Sequence, residues 1–387
     1  MIKHLFSLAK AYILYEFRPK HRNRIIFMGY NAQKYNFNSK YLFEYLLSTH
    51  PELELYFIIN DDNEYDSLKE RFGNHIINTK TADNLKLIFS AYTWISSGSM
   101  PARIPFANRD RIVVNLGHGM PLKGLGLMNQ ENSWIQNQLI KLIYSKYDII
   151  SSTSVVFQNI LMRSYASSKK QVRILGQCWD DEVLSIKDPT QILYSLYDKS
   201  RIPTFNKTIL YAPTWRAEGA VTIFPFPNFD LEHLEQVLED NKIIIFLRTH
   251  HLDHANISRF KKCRRIILMN DDVISDVMQI LSIFDLLITD YSSIIVDYLL
   301  LNKPALLLAY DRDSYLKSRS LNIDIDSFDF YKEPKRQSEF EQIIIKLVNT
   351  TDITEKQKLA QKTFFKYTDN NNCYRHYCAI HDLIESK

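Results

Sequence analysis

Phe284-Asp285-Leu286-Leu287-Ile288-Thr289-Asp290-Tyr291-Ser292-Ser293-Ile294-Ile295-Val296-Asp297-Tyr298 carries three structural signals in succession. Leu286 to Ile288 is a short continuous apolar run, the pattern of a strand covered on both faces of a parallel sheet. Thr289 to Ser293 is small and polar, and Ser292 or Ser293 can cap a helix whose apolar positions begin at Ile294. A helix that starts at the carboxyl end of a parallel strand presents free N–H groups and a positive dipole end, which attract an anion. The plainer alternative is that Asp290 and the serines only cap a structural helix. Either way, the unit is α/β.

The same alternation runs outward in both directions. In the second half, strands are also expected at 208–212, 242–247, 265–269 and 304–309, with a later helix at 340–348. The first half repeats the pattern, with strands at 24–29, 55–59, 93–96, 111–116, 147–151 and 172–175 and helices at 41–47 and 82–92. Short apolar strands alternating with helical periods mark a parallel sheet. At 387 residues the chain exceeds what one core usually supports, so two Rossmann-like domains are expected, facing a central cleft at their strand ends. Residues 185–207 are polar, contain Pro189 and Pro203 and carry no strong strand, which places the boundary there. The division is then 1–24, a basic amphipathic segment; 25–190, the N-terminal domain; 191–207, a linker; 208–365, the C-terminal domain; and 366–387, a C-terminal helix with the N-terminal domain as a surface to pack on.

Composition removes several classes. The 45% apolar and 13% aromatic content supplies packed cores and argues against disorder. Only nine glycines occur, with no GxGxxG turn and no GxxxxGKS/T loop, which disfavours a dinucleotide-dependent oxidoreductase or a P-loop NTPase. A net charge of +4 is too mild to imply nucleic acid, and no such partner is expected. The charge is uneven: up to Arg24 it includes Lys3, Lys10, Arg18, Lys20 and Arg22 against Glu16 alone, interleaved with apolar side chains. Those apolar runs are too short to cross a bilayer, and no small-residue cleavage site follows. Two readings stand: a basic helix lying on an anionic membrane surface, or an ordinary first helix packed on its own domain. Four cysteines do not make a disulfide framework, which fits a reducing cytosol. Cys373, His376, Cys378 and His381 lack the spacing of structural zinc sites, and a terminal helix accounts for them better.

The unusual polar residues fall just past expected strands. After 112–116 comes Gly117-His118-Gly119, whose glycines leave the histidine uncrowded, with Lys123 further along to meet an anion. A histidine so placed can take a proton from a hydroxyl at neutral pH. After 208–212 come Thr214, Trp215 and Arg216. After 243–247, Arg248 and His250 alternate and so project to one side of an extended strand end, a pairing suited to phosphate charge. Asp311, Arg312 and Arg319 follow 306–309. Strand-end loops are generally polar, so each cluster alone is a weak signal. Together they point to a phosphate-rich ligand.

His118-Gly119-Met120-Pro121-Leu122-Lys123-Gly124-Leu125-Gly126, Tyr211-Ala212-Pro213-Thr214-Trp215-Arg216, Leu247-Arg248-Thr249-His250 and Thr289-Asp290-Tyr291-Ser292-Ser293 occur in the order of the CDP-glycerol glycerophosphotransferase family. So do Asp297-Tyr298, Lys303-Pro304 and Tyr310-Asp311. The family comprises teichoic acid primases and polymerases and related capsule polymerases, and the resemblance spans about residues 110–320. It implies a GT-B fold, with 25–190 as acceptor domain and 208–365 as CDP-donor domain. It implies transfer of glycerol phosphate or another alditol phosphate from a CDP-alditol to an acceptor hydroxyl, releasing CMP, in teichoic-acid or capsule-like polymer synthesis. By that resemblance His118 is the general base, while Arg248 and His250 bind the donor diphosphate and stabilise departing CMP. Lys123, Thr214, Arg216, Asp290, Ser292, Ser293, Asp311 and Arg319 are the further donor and phosphate residues, with Asp290 orienting its loop or a neighbouring histidine. No metal or cofactor is obligatory; if Mg2+ binds, Asp290 or Asp311 would hold it. The acceptor would be lipid-linked or an oligosaccharide, and the enzyme peripheral on the cytoplasmic face of the bacterial membrane. Two positions depart from the family pattern: Met120 stands where threonine is usual, and Ser320 follows Arg319 where glycine is usual. Alternatives are a GT-B glycosyltransferase using a CMP- or UDP-sugar, and an inactive nucleotide-binding scaffold.

Overall fold

The computed structural model describes residues 2–101, 110–185, 187–214, 222–249, 257–312, 321–323, 328, 330, 332 and 334–387, with side chains from Ser7 onward. Contacts divide the chain into two compact units, 1–181 with 365–387, and 182–364.

The first unit begins with α1 (Ile2–Tyr15) and β1 (His21–Met28). It continues through α2 (Phe37–Thr49), β2 (Glu54–Ile58), α3 (Asp62–Phe72), β3 (Ile76–Ile77), α4 (Ala82–Ser90), β4 (Ala91–Ser96) and β5 (Ile112–Asn115). Then follow α5 (Trp134–Tyr144), β6 (Ile149–Ser152), α6 (Val155–Tyr165), β7 (Val172–Ile174) and the short α7 (Asp180–Val183). The seven strands form a parallel sheet in the order β3-β2-β1-β4-β5-β6-β7. Successive side chains of β1 serve opposite layers. Ile26 and Met28 join Trp94 in one core, while Phe27 meets Phe43 of α2 at a 5.5 Å ring separation. With both faces covered, the strands read as unbroken apolar runs, which is why the sequence exposed them.

The second unit holds α8 (Pro189–Leu196), β8 (Lys207–Tyr211), α9 (Leu231–Asp240), β9 (Ile243–Leu247), β10 (Ile266–Leu268) and β11 (Leu286–Thr289). After them come α10 (Ile294–Tyr298), β12 (Ala305–Leu307), α11 (Gln337–Val348) and α12 (Glu355–Phe364). Its five strands are parallel in the order β10-β9-β8-β11-β12. Residues 191–207, read from sequence as a linker, carry most of α8 and a 3-10 turn, and lie inside this unit.

The last helix, α13 (Asn372–Ser386), belongs to the first unit. Both Asp181 carboxylate oxygens accept from its first backbone N–H groups, those of Asn372 and Cys373, each at 2.8 Å. That carboxylate satisfies orphan donors and favours the positive helix end. His376 is fully buried, with Nε2 2.8 Å from Ser151 Oγ and Nδ1 2.8 Å from the Asn372 carbonyl. Of the Cys373–His381 cluster, Cys373 and His376 face the core from this docked helix, Cys378 is half-buried and His381 is exposed.

The basic N-terminal segment is not separable at residue 24. Arg22 and Arg24 already belong to β1, and Glu16, the lone acid, is fully buried. Its Oε2 lies 2.5 Å from Nη2 of Arg111, itself 1% exposed with its guanidinium 3.8 Å above the Trp94 ring. Lys20 stands 3.6 Å from the same carboxylate, and burial plus the Arg111 charge lower its pKa to about 8. α1 packs on α4 and buries Ala11, while Ile13, Leu14 and Phe17 face outward. It is therefore both a structural helix and a bearer of exposed apolar side chains.

Candidate active site

β1, β4 and β5 are neighbours, so the residues that follow them share one end of the first sheet. β5 runs through Leu116 into Gly117 and Gly119, whose φ values of 72° and 123° suit glycine and bring His118 between them. His118 Nδ1 lies 3.0 Å from the Ser97 carbonyl at the end of β4. A carbonyl only accepts, so the proton sits on Nδ1 in the neutral ring and Nε2 keeps its lone pair. Among the described residues, Nε2 has no hydrogen-bond partner. The ring retains an exposed edge, yet protein packed on its other sides penalises the imidazolium. That desolvation lowers the His118 pKa below its ordinary value, with the Ser97 carbonyl working in the opposite direction. A neutral imidazole with a free Nε2 is equipped to take a proton.

Side chains distant in sequence hold this group. Asn38, fully buried at the start of α2, donates from Nδ2 to the Leu116 and Gly117 carbonyls at 3.3 and 3.1 Å. Its Oδ1 accepts from the Trp179 N–H at 3.1 Å. One amide thus clamps the peptide before His118 to the turn that leads into α7. Around the ring stand Tyr30, edge-on at 4.6 Å, and Phe37 at 5.6 Å. Lys123 follows in the same loop, half-buried.

In the second unit, Asp290 is the organiser. It is 2% exposed, and its Oδ1 accepts from the backbone N–H of Thr214 at 2.8 Å and of Tyr291 at 2.6 Å. Thr289 Oγ1 donates to the Ala212 carbonyl at 2.7 Å, so the loops after β8 and β11 are tied twice. The Tyr291 hydroxyl reaches Asp311 Oδ1 at 3.2 Å, joining the loop after β12. Thr214, Asp290 and Asp311 are therefore brought together. Ser292 Oγ accepts from the Ile294 N–H at 3.4 Å, and Ser293 precedes α10 without a side-chain capping bond. The helix expected there spans five residues, 294–298.

Arg248 follows β9, and its guanidinium engages a neighbouring turn. Nη1 donates to the carbonyls of Ile274 and Met269 at 2.8 and 3.3 Å, and Nη2 pairs with Asp271 at 2.5 Å and reaches the Ser275 carbonyl at 3.4 Å. Its guanidinium pins the turn after β10. Burial lowers its pKa, and Asp271 pulls in the other direction. Arg216, His250 and Arg319 lie outside the described residues. Sequence reading missed Ser97 and Tyr30, although both stand just past expected strands where the polar clusters were sought. Nothing in the sequence singled out Asn38 or Phe37.

Two parallel α/β units with polar loops at the strand ends, one presenting a neutral histidine, make up a GT-B fold. The chain belongs to the family of CDP-Glycerol:Poly(glycerophosphate) glycerophosphotransferase, whose model matches residues 10–382. It is 25% identical over 382 residues to the teichoic acid glycerol-phosphate transferase of Staphylococcus aureus, covering 93% of this chain and 90% of that protein. It is 27% identical to the teichoic acid poly(glycerol phosphate) polymerase of Bacillus subtilis, covering 86% of this chain but 43% of that longer protein. A structure of the wall teichoic acid polymerase TagF superimposes on all of this chain and 97% of that one, with a TM-score of 0.80 and 20% identity, a likeness of fold.

Proposed function

We propose that this chain moves an alditol phosphate from a CDP-alditol to the hydroxyl of a polymer acceptor, with the first unit taking the acceptor and the second the donor. The observation that carries this reading is the fixed tautomer of His118 with Nε2 open. The acceptor O–H gives its proton to Nε2 as its oxygen attacks the alditol-bearing phosphorus. The bond from that phosphorus to the bridging oxygen breaks, and CMP leaves with that oxygen and the electron pair. Thr214 and the serines at 292–293, arranged around Asp290, are assigned to the donor phosphates. Arg248 is assigned to shaping the neighbouring turn. The reading makes no metal obligatory: Asp290 is committed to backbone amides and Asp311 meets the Tyr291 hydroxyl. CMP release that persists in chelator supports this, and strict dependence on added Mg2+ overturns it.

The test of the reaction is CMP release from CDP-glycerol, then CDP-ribitol, across a panel of hydroxyl acceptors. Turnover lost in His118→Ala supports the reading. Silence with both donors, together with consumption of a nucleotide sugar, moves the chain to the glycosyltransferases.

We further assign it to the cytoplasmic membrane surface. No helix among the described residues is long and apolar enough to cross a membrane. Ile13, Leu14 and Phe17 beside Arg18, and Trp134, Ile135 and Leu139 of α5 near Lys141, are exposed apolar groups next to cations. Leu14→Ser together with Phe17→Ser should release the protein from anionic vesicles while soluble turnover persists. Deleting residues 1–18 is a different experiment, because it strips Glu16 from buried Arg111 and costs about 3–5 kcal/mol.

A further inference from the structure

Tyr30 is a large aromatic residue fixed by its backbone and left half-open by its side chain. Its N–H donates to Asn36 Oδ1 and its carbonyl accepts from the Ser99 N–H, both at 3.3 Å. A Cβ at position 98 would lie 2.3 Å from the Tyr30 carbonyl oxygen and 2.7 Å from its ring, so Gly98 is what lets the tyrosine sit there. Phe37 stands 6.2 Å from that ring and adopts φ 61°, a conformation unfavourable for a bulky residue and sustained only by its surroundings. The product of this packing is a tyrosine edge-on to His118, with 48% of its surface open. A free surface tyrosine needs none of these arrangements.

We propose that Tyr30 is the acceptor-binding residue of the site, stacking its open face on the C–H side of the terminal polyhydroxylated residue and so delivering that residue's hydroxyl to His118 Nε2. Alditols and sugars carry apolar C–H faces between their hydroxyls, and a rigid aromatic face with a polar tip matches both parts. The donor's alditol carries such a face too; what assigns the stack to the acceptor is that Tyr30 stands 4.6 Å from His118, the base assigned to the acceptor hydroxyl. This inference rests on the phosphotransferase reading given above and names the acceptor contact within it.

The experiment compares the full chain with Tyr30→Ala and Tyr30→Phe, using short oligo(glycerol phosphate) and an alkyl disaccharide as separate acceptors. Tyr30→Ala is expected to raise the acceptor KM about three- to tenfold, with donor KM and the acid limb of the pH profile unchanged. Tyr30→Phe, which keeps the ring, recovers most of the loss. Whichever acceptor shows the KM effect identifies whether the stacked residue is an alditol or a sugar. An unchanged acceptor KM overturns the proposal, as does an equal rise in donor KM. A moved acid limb overturns it as well, because Tyr30 then acts on His118 rather than on the acceptor. Should wild-type protein release no CMP from either CDP-alditol, the reaction assignment fails on its own. Saturation-transfer NMR of the same two acceptors on wild type and Tyr30→Ala then decides the contact without turnover. Equal signals on both proteins reject it.

Discussion

At the end of the first sheet, His118 makes one hydrogen bond among the described residues and keeps its other nitrogen open to them; at the end of the second, Asp290 is buried and accepts two backbone N–H groups on one oxygen. Both groups are titratable and both follow a parallel strand, so by position alone they look alike. Their surroundings separate them. The protein finishes the bonding of Asp290 in order to shape three loops, and leaves that of His118 incomplete so that a substrate can finish it. Arg248 lies between the two, half-buried with Nη1 and Nη2 bonded to the turn at 269–275.

The sharpest way to break the comparison is His118→Ala. Activity should fall about 10²- to 10⁴-fold, the range for a lost general base, with melting temperature nearly unchanged. A melting shift as large as that of an Asp290 variant would mean His118 is structural after all. Asp290→Ala should do the reverse. One buried and one partly buried N–H group lose their acceptor, the buried one at about 1–3 kcal/mol, lowering the melting temperature several degrees and raising the donor KM. Calorimetry showing a stable Asp290→Ala protein with only kcat reduced would place Asp290 in the chemistry. Asn38→Asp keeps shape but turns a donor into an acceptor facing two carbonyls. We expect kcat down about tenfold, on the order of one lost buried hydrogen bond at the histidine loop, with donor KM held. A uniform loss in both parameters would reduce Asn38 to a fold residue. The smallest effect is in pH. Because the folded pKa of His118 is depressed, the neutral base persists below the ordinary value, and activity should be lost only as pH falls through that lowered pKa. An acid limb above the ordinary histidine range would show that the imidazolium is stabilised instead.

How much of this was legible follows from the range of each interaction. Strands such as β9 and β11 are fully buried on both faces, and their uninterrupted apolar runs reveal them within a few residues. The glycines flanking His118 mark its loop because left-handed backbone is a local requirement. Asn38, by contrast, acts on carbonyls 78 and 79 positions away, and Glu16 on an arginine 95 positions away. Glu16 therefore reads locally as one solvated acid in a basic helix, and only the fold turns it into the counter-ion of Arg111. The contacts of Arg248 are likewise long-range. A guanidinium at a strand end advertises an anion, but the carbonyls of Met269 and Ile274 that claim it belong to a later strand and its turn.

The division of the first unit between 1–181 and 365–387 has a consequence for biogenesis. Residues 1–181 leave the ribosome first, yet the helix that covers Ser151 and takes up Asp181 is made only after the whole second unit. At about 5–20 residues per second, that is roughly ten to forty seconds of translation. During that interval the first unit waits with an uncovered flank while the second unit is still being made. The first unit is therefore closed only by a segment made after the second.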